Sequence, residues 1–227
     1  MIRSVVVVFL SAALVGAEPP SAEQITALRP YAPMVGAWEG DGQSEQDAGW
    51  KAKATGTWGF RETDGRASLD FVAEGKLLKV GKLSWQPADK KFRFACKNPA
   101  DKKLEFVGVA VDAATIRLDR IDEGVNDQLD RLEIKILRGG DKLMFDFRRK
   151  LGRASFQPQA SITLFRTGGD EASAEKAAAN PPCVVTGGPG RLTVAHGARM
   201  VSVADALCKE EFLAHPERYP EQPGEKK

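Results

Sequence analysis

Asp141-Lys142-Leu143-Met144-Phe145-Asp146-Phe147-Arg148-Arg149-Lys150 places Leu143, Phe145 and Phe147 on one side of an extended chain and Lys142, Asp146 and Arg148 on the other. Successive side chains of a strand point to opposite faces, so this alternation gives one dry face and one wet one. Comparable short segments run from Met34 to Phe165, with turn residues between them and almost no helical periodicity. Strands are expected at Trp50 to Arg61, Ala67 to Glu74, Leu77 to Gln86, Lys91 to Lys97, Lys103 to Asp112, Thr115 to Ile121, Gln128 to Arg138, Lys142 to Lys150 and Gln159 to Arg166. A first strand carries Gly36-Ala37-Trp38-Glu39-Gly40.

The junctions hold the turn chemistry that chain reversal needs. Thr63-Asp64-Gly65, Glu74-Gly75, Pro87-Ala88-Asp89, Asn98-Pro99-Ala100-Asp101 and Gly139-Gly140-Asp141 supply positive φ or the fixed φ of proline. About ten antiparallel strands joined by short hairpins predict a mainly β chain closed as an up-and-down barrel, because closure removes both exposed edges. A β-sandwich is the runner-up.

The 227 residues give room for one sizeable domain and a small second one. Lys and Arg number 33 against 31 Asp and Glu, interspersed along the strands, and so give no electrostatic argument for nucleic acid. The amino terminus reads as a secretory signal over residues 1–17: Arg3 is the basic end, Val5 to Leu14 the apolar run, and Val15-Gly16-Ala17 the small-residue cleavage site. Pro19-Pro20 end the run short of the roughly 20 apolar residues a bilayer needs, so no membrane span is expected after cleavage. The expected location is periplasmic or extracellular. Ser21-Ala22-Glu23-Gln24 has the form of a capping box, predicting a helix to about Leu28 that Pro30 and Pro33 end and that plugs a barrel mouth.

Gly36-Ala37-Trp38 and the meander resemble the lipocalin-like barrels of exported bacterial proteins over residues 18–167. The resemblance implies a cavity for a small apolar or amphipathic ligand, although barrels of this kind can also be packed solid. Trp38 is read chiefly as a core residue whose indole N–H reaches a carbonyl. In Thr115-Ile116-Arg117-Leu118-Asp119-Arg120-Ile121, turning Ile116 and Leu118 inward leaves Arg117 and Asp119 in water, whereas the opposite register buries an ion pair at greater cost. An inward Arg would suit a carboxylate ligand. Trp38, Arg117 and Arg120 are therefore the barrel's candidate ligand-binding residues.

Residues 168–182 read as a linker, and 221–227 as a tail. Between them, Cys183-Val184-Val185-Thr186-Gly187, Val194-Ala195-His196-Gly197 and Cys208 to Tyr219 resemble a degenerate α+β YHS domain over 183–220, its closing helix ending in Phe, Pro and Tyr. The resemblance implies a metal knuckle, but the family's adjacent cysteine pair is replaced by Ala204-Asp205. Cys183, Cys208, Asp205 and His196 are the residues left to hold copper or zinc, and a structural zinc site wants four ligands. The favoured alternative is no cofactor and a Cys183–Cys208 disulfide, worth about 3 kcal/mol by loop closure, with Cys96 as the odd thiol buried in a strand.

The barrel contains no histidine, since the only two are His196 and His215, and Gly187-Gly188-Pro189-Gly190 has no Lys-Ser/Thr after it to act as a phosphate loop. A non-enzymatic binding protein is expected. Its alternatives are metal handling through the module and a structural or interaction protein of the cell envelope with a filled barrel.

Overall fold

The computed structural model of the chain describes residues 22–60, 67–121, 129–151, 155–167, 181–197 and 199–219. The expected signal segment, Ser21 of the capping box, the turn at 63–65, most of the linker and the tail lie outside these residues. Ten strands close in chain order: β1 (Gly36–Ser44), β2 (Asp47–Phe60), β3 (Ala67–Glu74), β4 (Val80–Gln86), β5 (Lys91–Lys97), β6 (Lys103–Asp112), β7 (Thr115–Arg120), β8 (Arg131–Leu137), β9 (Lys142–Leu151) and β10 (Ser155–Arg166). Each pairs antiparallel with the next, and β10 returns to β1, so the barrel is of the up-and-down kind and not a sandwich. Turn geometry follows the sequence at Gly139 (φ 65°) and Gly140 (φ 106°), with Arg138 also left-handed (φ 52°).

Alternation fixes which side chains fill the interior. Leu132, Ile134 and Ile136 of β8 face Leu143, Phe145 and Phe147 of β9 in register, and all are buried. Ile116 and Leu118 of β7 likewise lie inward with no exposed surface, and Arg117 lies outward. Ten strands enclose more volume than eight, so aliphatic side chains alone would leave a hollow. Here aromatic rings take up the space: Phe71 and Phe145 meet edge to face at 5.8 Å, Phe94 lies 6.1 Å from Phe145, and Phe106 lies 6.4 Å from Phe147. A void between Ala52, Ala54, Leu78, Phe145 and Ile162 measures about 10 Å³, the room of a single water. Around these rings the barrel interior is occupied by packed side chains.

One end of the barrel is closed by α1 (Ala22–Leu28), which buries Gln24, Ile25 and Leu28. The α-helix ends at Leu28 as expected, ahead of the prolines, but the plug runs on. Pro30 and Pro33 both lie within a 3-10 segment, Arg29–Met34, that continues it and buries Tyr31, Ala32 and Met34. Proline suits such a turn because its φ is already set, and at Pro30, in the first turn, the missing N–H also falls where no partner is needed. Gln24 Oε1 accepts from Ala67 N at 3.2 Å, Trp85 Nε1 donates to Glu23 at 3.2 Å, and Tyr31 meets Phe92 edge-on at 5.3 Å, so the plug is tied to β3, β4 and β5. At Gly56 a Cβ would stand 2.2 Å from the Met34 carbonyl oxygen; only glycine lets the plug come this close.

On the outer wall, Glu133 and Asp146 sit opposite one another in the β8–β9 register and are each only 5% exposed. They are roofed by basic side chains: Arg117 Nε to Glu133 at 2.9 Å, Lys135 Nζ to Glu133 at 2.9 Å, and Arg148 to Asp146 at 2.7 Å. Burial works to raise the Glu133 carboxyl, but hydrogen bonds from Lys135 and Arg117, with Arg148 alongside, outweigh it and hold the group below the usual carboxylate range.

Candidate functional site

The carboxy-terminal segment forms a two-stranded sheet, β11 (Leu192–His196) and β12 (Arg199–Val203), followed by α2 (Ala206–Ala214) and a 3-10 turn, Pro216–Arg218. Val194, Val201, Val203, Ala204 and Phe212 are buried, and they belong to the same apolar cluster as the barrel core. The module is seated on the plugged end. Arg29 Nε donates to Thr186 O at 2.6 Å, and Arg191 approaches the start of β1 at Gly36.

Cys183 opens a tight turn in which its carbonyl accepts from Gly187 N at 2.7 Å and its N–H donates to Gly188 O at 2.8 Å, while Val184 N reaches Ser202 O of β12 at 2.8 Å. Gly187 takes a left-handed φ of 67°, and a side chain there would press on Arg29 at 2.7 Å. This curl aims donors at the Cys183 sulfur: the backbone N–H groups of Val185 and Thr186 and the Thr186 hydroxyl. Cys208, in the first turn of α2, presents its thiol to Cys183. Both cysteines and Thr186 have no exposed surface.

Asp205 joins the pair to the barrel. As the N-cap of α2 its Oδ1 accepts from Cys208 N at 2.8 Å, and its Oδ2 accepts from Trp58 N of β2 at 3.4 Å. The same carboxylate faces the Cys208 thiol. Cys183 therefore has donors around it and Cys208 has acceptors. The Cys208 contact, reinforced by Thr186 and the turn N–H groups, holds Cys183 down at about 6 against the effect of burial. Cys208 is pushed far up, first by Cys183 and then by burial and Asp205.

The expected disulfide is not formed: none of the three cysteines is in one, although Cys183 and Cys208 lie in hydrogen-bond contact. Cys96 is buried in β5, 5% exposed. Of the four residues considered for copper or zinc, Cys183, Cys208 and Asp205 are neighbours, but His196 closes β11 and meets Phe212 edge to face at 5.6 Å. Among the described residues no three His, Cys, Asp or Glu side chains are arranged to hold a metal. The barrel candidates do not converge either. Trp38 is 1% exposed and donates from Nε1 to Met34 O at 3.0 Å; Arg117 is engaged on the outer wall with Glu133; Arg120 shares the inward register of Ile116 and Leu118 but sits half-buried at the strand end.

Sequence reading missed Arg166, the last residue of β10. It stands opposite Trp38 in the β1–β10 register, lies 4.4 Å from its ring centre, and donates to the carbonyls of Val35 (3.0 Å), Gly140 (2.9 Å) and Pro33. Its signal was weak because a terminal Arg on a strand reads as a solvated end. A groove of about 550 Å³ is open to solvent between Asp41, Gln43, Lys51, Ser161 and Thr163 and is crossed by the Lys51–Asp41 pair at 2.7 Å. No helix among the described residues is long and apolar enough to cross a membrane.

No known family model matches the chain, and no curated protein matches it. Among solved structures it is similar to Rv2717c from M. tuberculosis, at 14% identity and a TM-score of 0.39, over 62% of this chain and 97% of that one.

Proposed function

We propose that the chain is an exported, non-enzymatic binding protein of the cell envelope that binds through its surface. In this reading the barrel is a solid scaffold, and the module, a degenerate YHS unit by its sequence, is the piece that docks to a protein partner. The reading rests on one observation: Phe71, Phe94, Phe106, Phe145 and Phe147 are all buried in the lumen, and the void beside Phe145 measures only about 10 Å³. A small apolar ligand needs a pocket of some 300 Å³ or more, and admitting one here would mean displacing several rings, each worth about 1.5–3 kcal/mol by burial.

Titration with an environment-sensitive fluorescent fatty acid tests the point. No saturable one-to-one binding is expected. Stoichiometric binding that Ile162→Trp abolishes would restore the cavity reading. Export is tested separately by sequencing the amino terminus of the envelope-fraction protein, where a start at Glu18 is expected and a retained Met1 speaks against a cleaved leader.

A further inference from the structure

We propose that Cys183 and Cys208 are a peroxide-responsive thiol pair, with Cys183 the attacking sulfur and Cys208 the resolving one. The asymmetry of the surroundings assigns the roles. Cys183 sits in a curl of donors, namely two backbone N–H groups, the Thr186 hydroxyl and the Cys208 thiol, so negative charge on its sulfur is stabilised there. Cys208 faces the Cys183 sulfur and the Asp205 carboxylate, both acceptors that favour its protonated form, with Tyr219 also within electrostatic reach. Cys96 lies in β5 of the barrel, away from this module.

The chemistry balances with hydrogen peroxide as the oxidant. The Cys183 thiolate attacks one peroxide oxygen, the O–O bond breaks, and the departing hydroxide takes a proton to become water; Cys183 is left as a sulfenic acid. The Cys208 sulfur then attacks the Cys183 sulfur, an S–S bond forms, the S–O bond breaks, and the hydroxyl leaves with the Cys208 proton as a second water. Two thiols lose two electrons and two protons, and one peroxide becomes two waters. A peroxide suits the site because neither sulfur is exposed. A water-sized oxidant needs a smaller opening of the turn at Gly187 and Gly188 to reach the pair than a glutathione-sized disulfide does. The bond formed would lock that turn to the first turn of α2, beside the Asp205–Trp58 contact with the barrel.

Intact-mass measurement of the reduced full chain after brief exposure to stoichiometric hydrogen peroxide, with peptide mapping, tests this. The expected result is loss of two hydrogens and a single Cys183–Cys208 cross-linked peptide, formed much faster than with glutathione disulfide at equal concentration. In Cys208→Ser the sulfenic acid should persist and be captured by dimedone on Cys183. A wild-type mass unchanged by peroxide, oxygen addition without hydrogen loss, or dimedone capture at Cys96 would overturn the proposal. The wild-type result stands without any variant.

Discussion

The guanidinium of Arg166 lies 4.4 Å from the centre of the Trp38 ring, and these two residues face each other where the last barrel strand meets the first. Closure of the barrel and attachment of its plug converge on this contact, because Arg166 also donates to carbonyls of Pro33 and Val35 in the plug and to Gly140 in the turn before β9. Arg166→Ala leaves those carbonyls without their donor and removes a partly buried cation from an aromatic face. A loss of about 3 kcal/mol in stability is expected, read as a lower denaturant midpoint. Arg166→Lys should recover little of it, since a single ammonium cannot reproduce the planar fork.

The filled lumen makes its own prediction. Phe145 touches the rings of Phe71 and Phe94, so Phe145→Ala opens a hole that its neighbours can only partly close. The expected cost is about 3–5 kcal/mol. The variant, unlike the wild type, should bind a small aromatic such as benzene, measured by ligand-induced protection against thermal unfolding.

How legible this was in the sequence depends on where the information lies. Strands β3 to β9 were readable because one-face burial imposes a period of two on Leu143, Phe145, Phe147 and their counterparts, and turn residues mark the ends. Whether the lumen was hollow was not readable, since inward Phe residues look alike in a packed core and in a cavity wall. The α-helix ends at Leu28 ahead of Pro30 and Pro33, as the sequence indicates, but the 3-10 turn that carries both prolines was not legible, because six residues are too few to show a period. The disulfide expected between Cys183 and Cys208 does not form, although the two thiols lie in hydrogen-bond contact. Asp205 was considered as a metal ligand, yet its oxygens are spent on the N–H groups of Cys208 and Trp58, a role visible only once β2 and α2 are side by side.

Glu133 gives the outer wall a dependence on pH. Its carboxyl is held below the usual value when folded, so its contribution to stability is fully present above the unfolded value and is lost as pH falls through the folded one. Denaturant unfolding from pH 7 down to pH 3 should show a decline below the ordinary Glu range that is smaller in Glu133→Gln. At neutral pH that substitution is expected to cost about 1–2 kcal/mol, because Arg117 loses its carboxylate partner and Lys135 and Arg148 lose one of the two they share.

Asp205 couples the module to the barrel through two N–H groups. Asp205→Ala removes the N-cap of α2 and the Trp58 contact together, with an expected cost of about 1–2 kcal/mol. Asp205→Asn keeps an acceptor for the cap and should cost less. Hydrogen exchange at the Trp58 and Cys208 amides distinguishes this from general destabilisation: both should exchange faster in Asp205→Ala, while amides in the middle of β8 and β9 stay protected.

The thiol pair predicts an unusual titration. With Cys208, Thr186 and the turn N–H groups stabilising its anion, Cys183 should ionise near pH 6, and Cys208 should remain protonated well beyond the ordinary thiol range. Thiolate absorbance in the ultraviolet should therefore rise by the amount of one sulfur around pH 6. Cys208→Ser exchanges a thiol donor for a hydroxyl and removes a sulfur that competes for charge, so it leaves Cys183 low; Cys208→Ala takes the donor away and should move the step upward. Because Cys183 is lower in the folded chain than in the unfolded one, its contribution to stability grows as pH rises from 6 toward the unfolded thiol value and is lost as pH falls through 6. Cys208 acts in the opposite sense: its contribution is full below the unfolded thiol value and fades above it. The pair's contribution to stability should therefore climb from pH 6, peak near the ordinary thiol value and fall above it, and Cys183→Ala flattens the acid side of that peak.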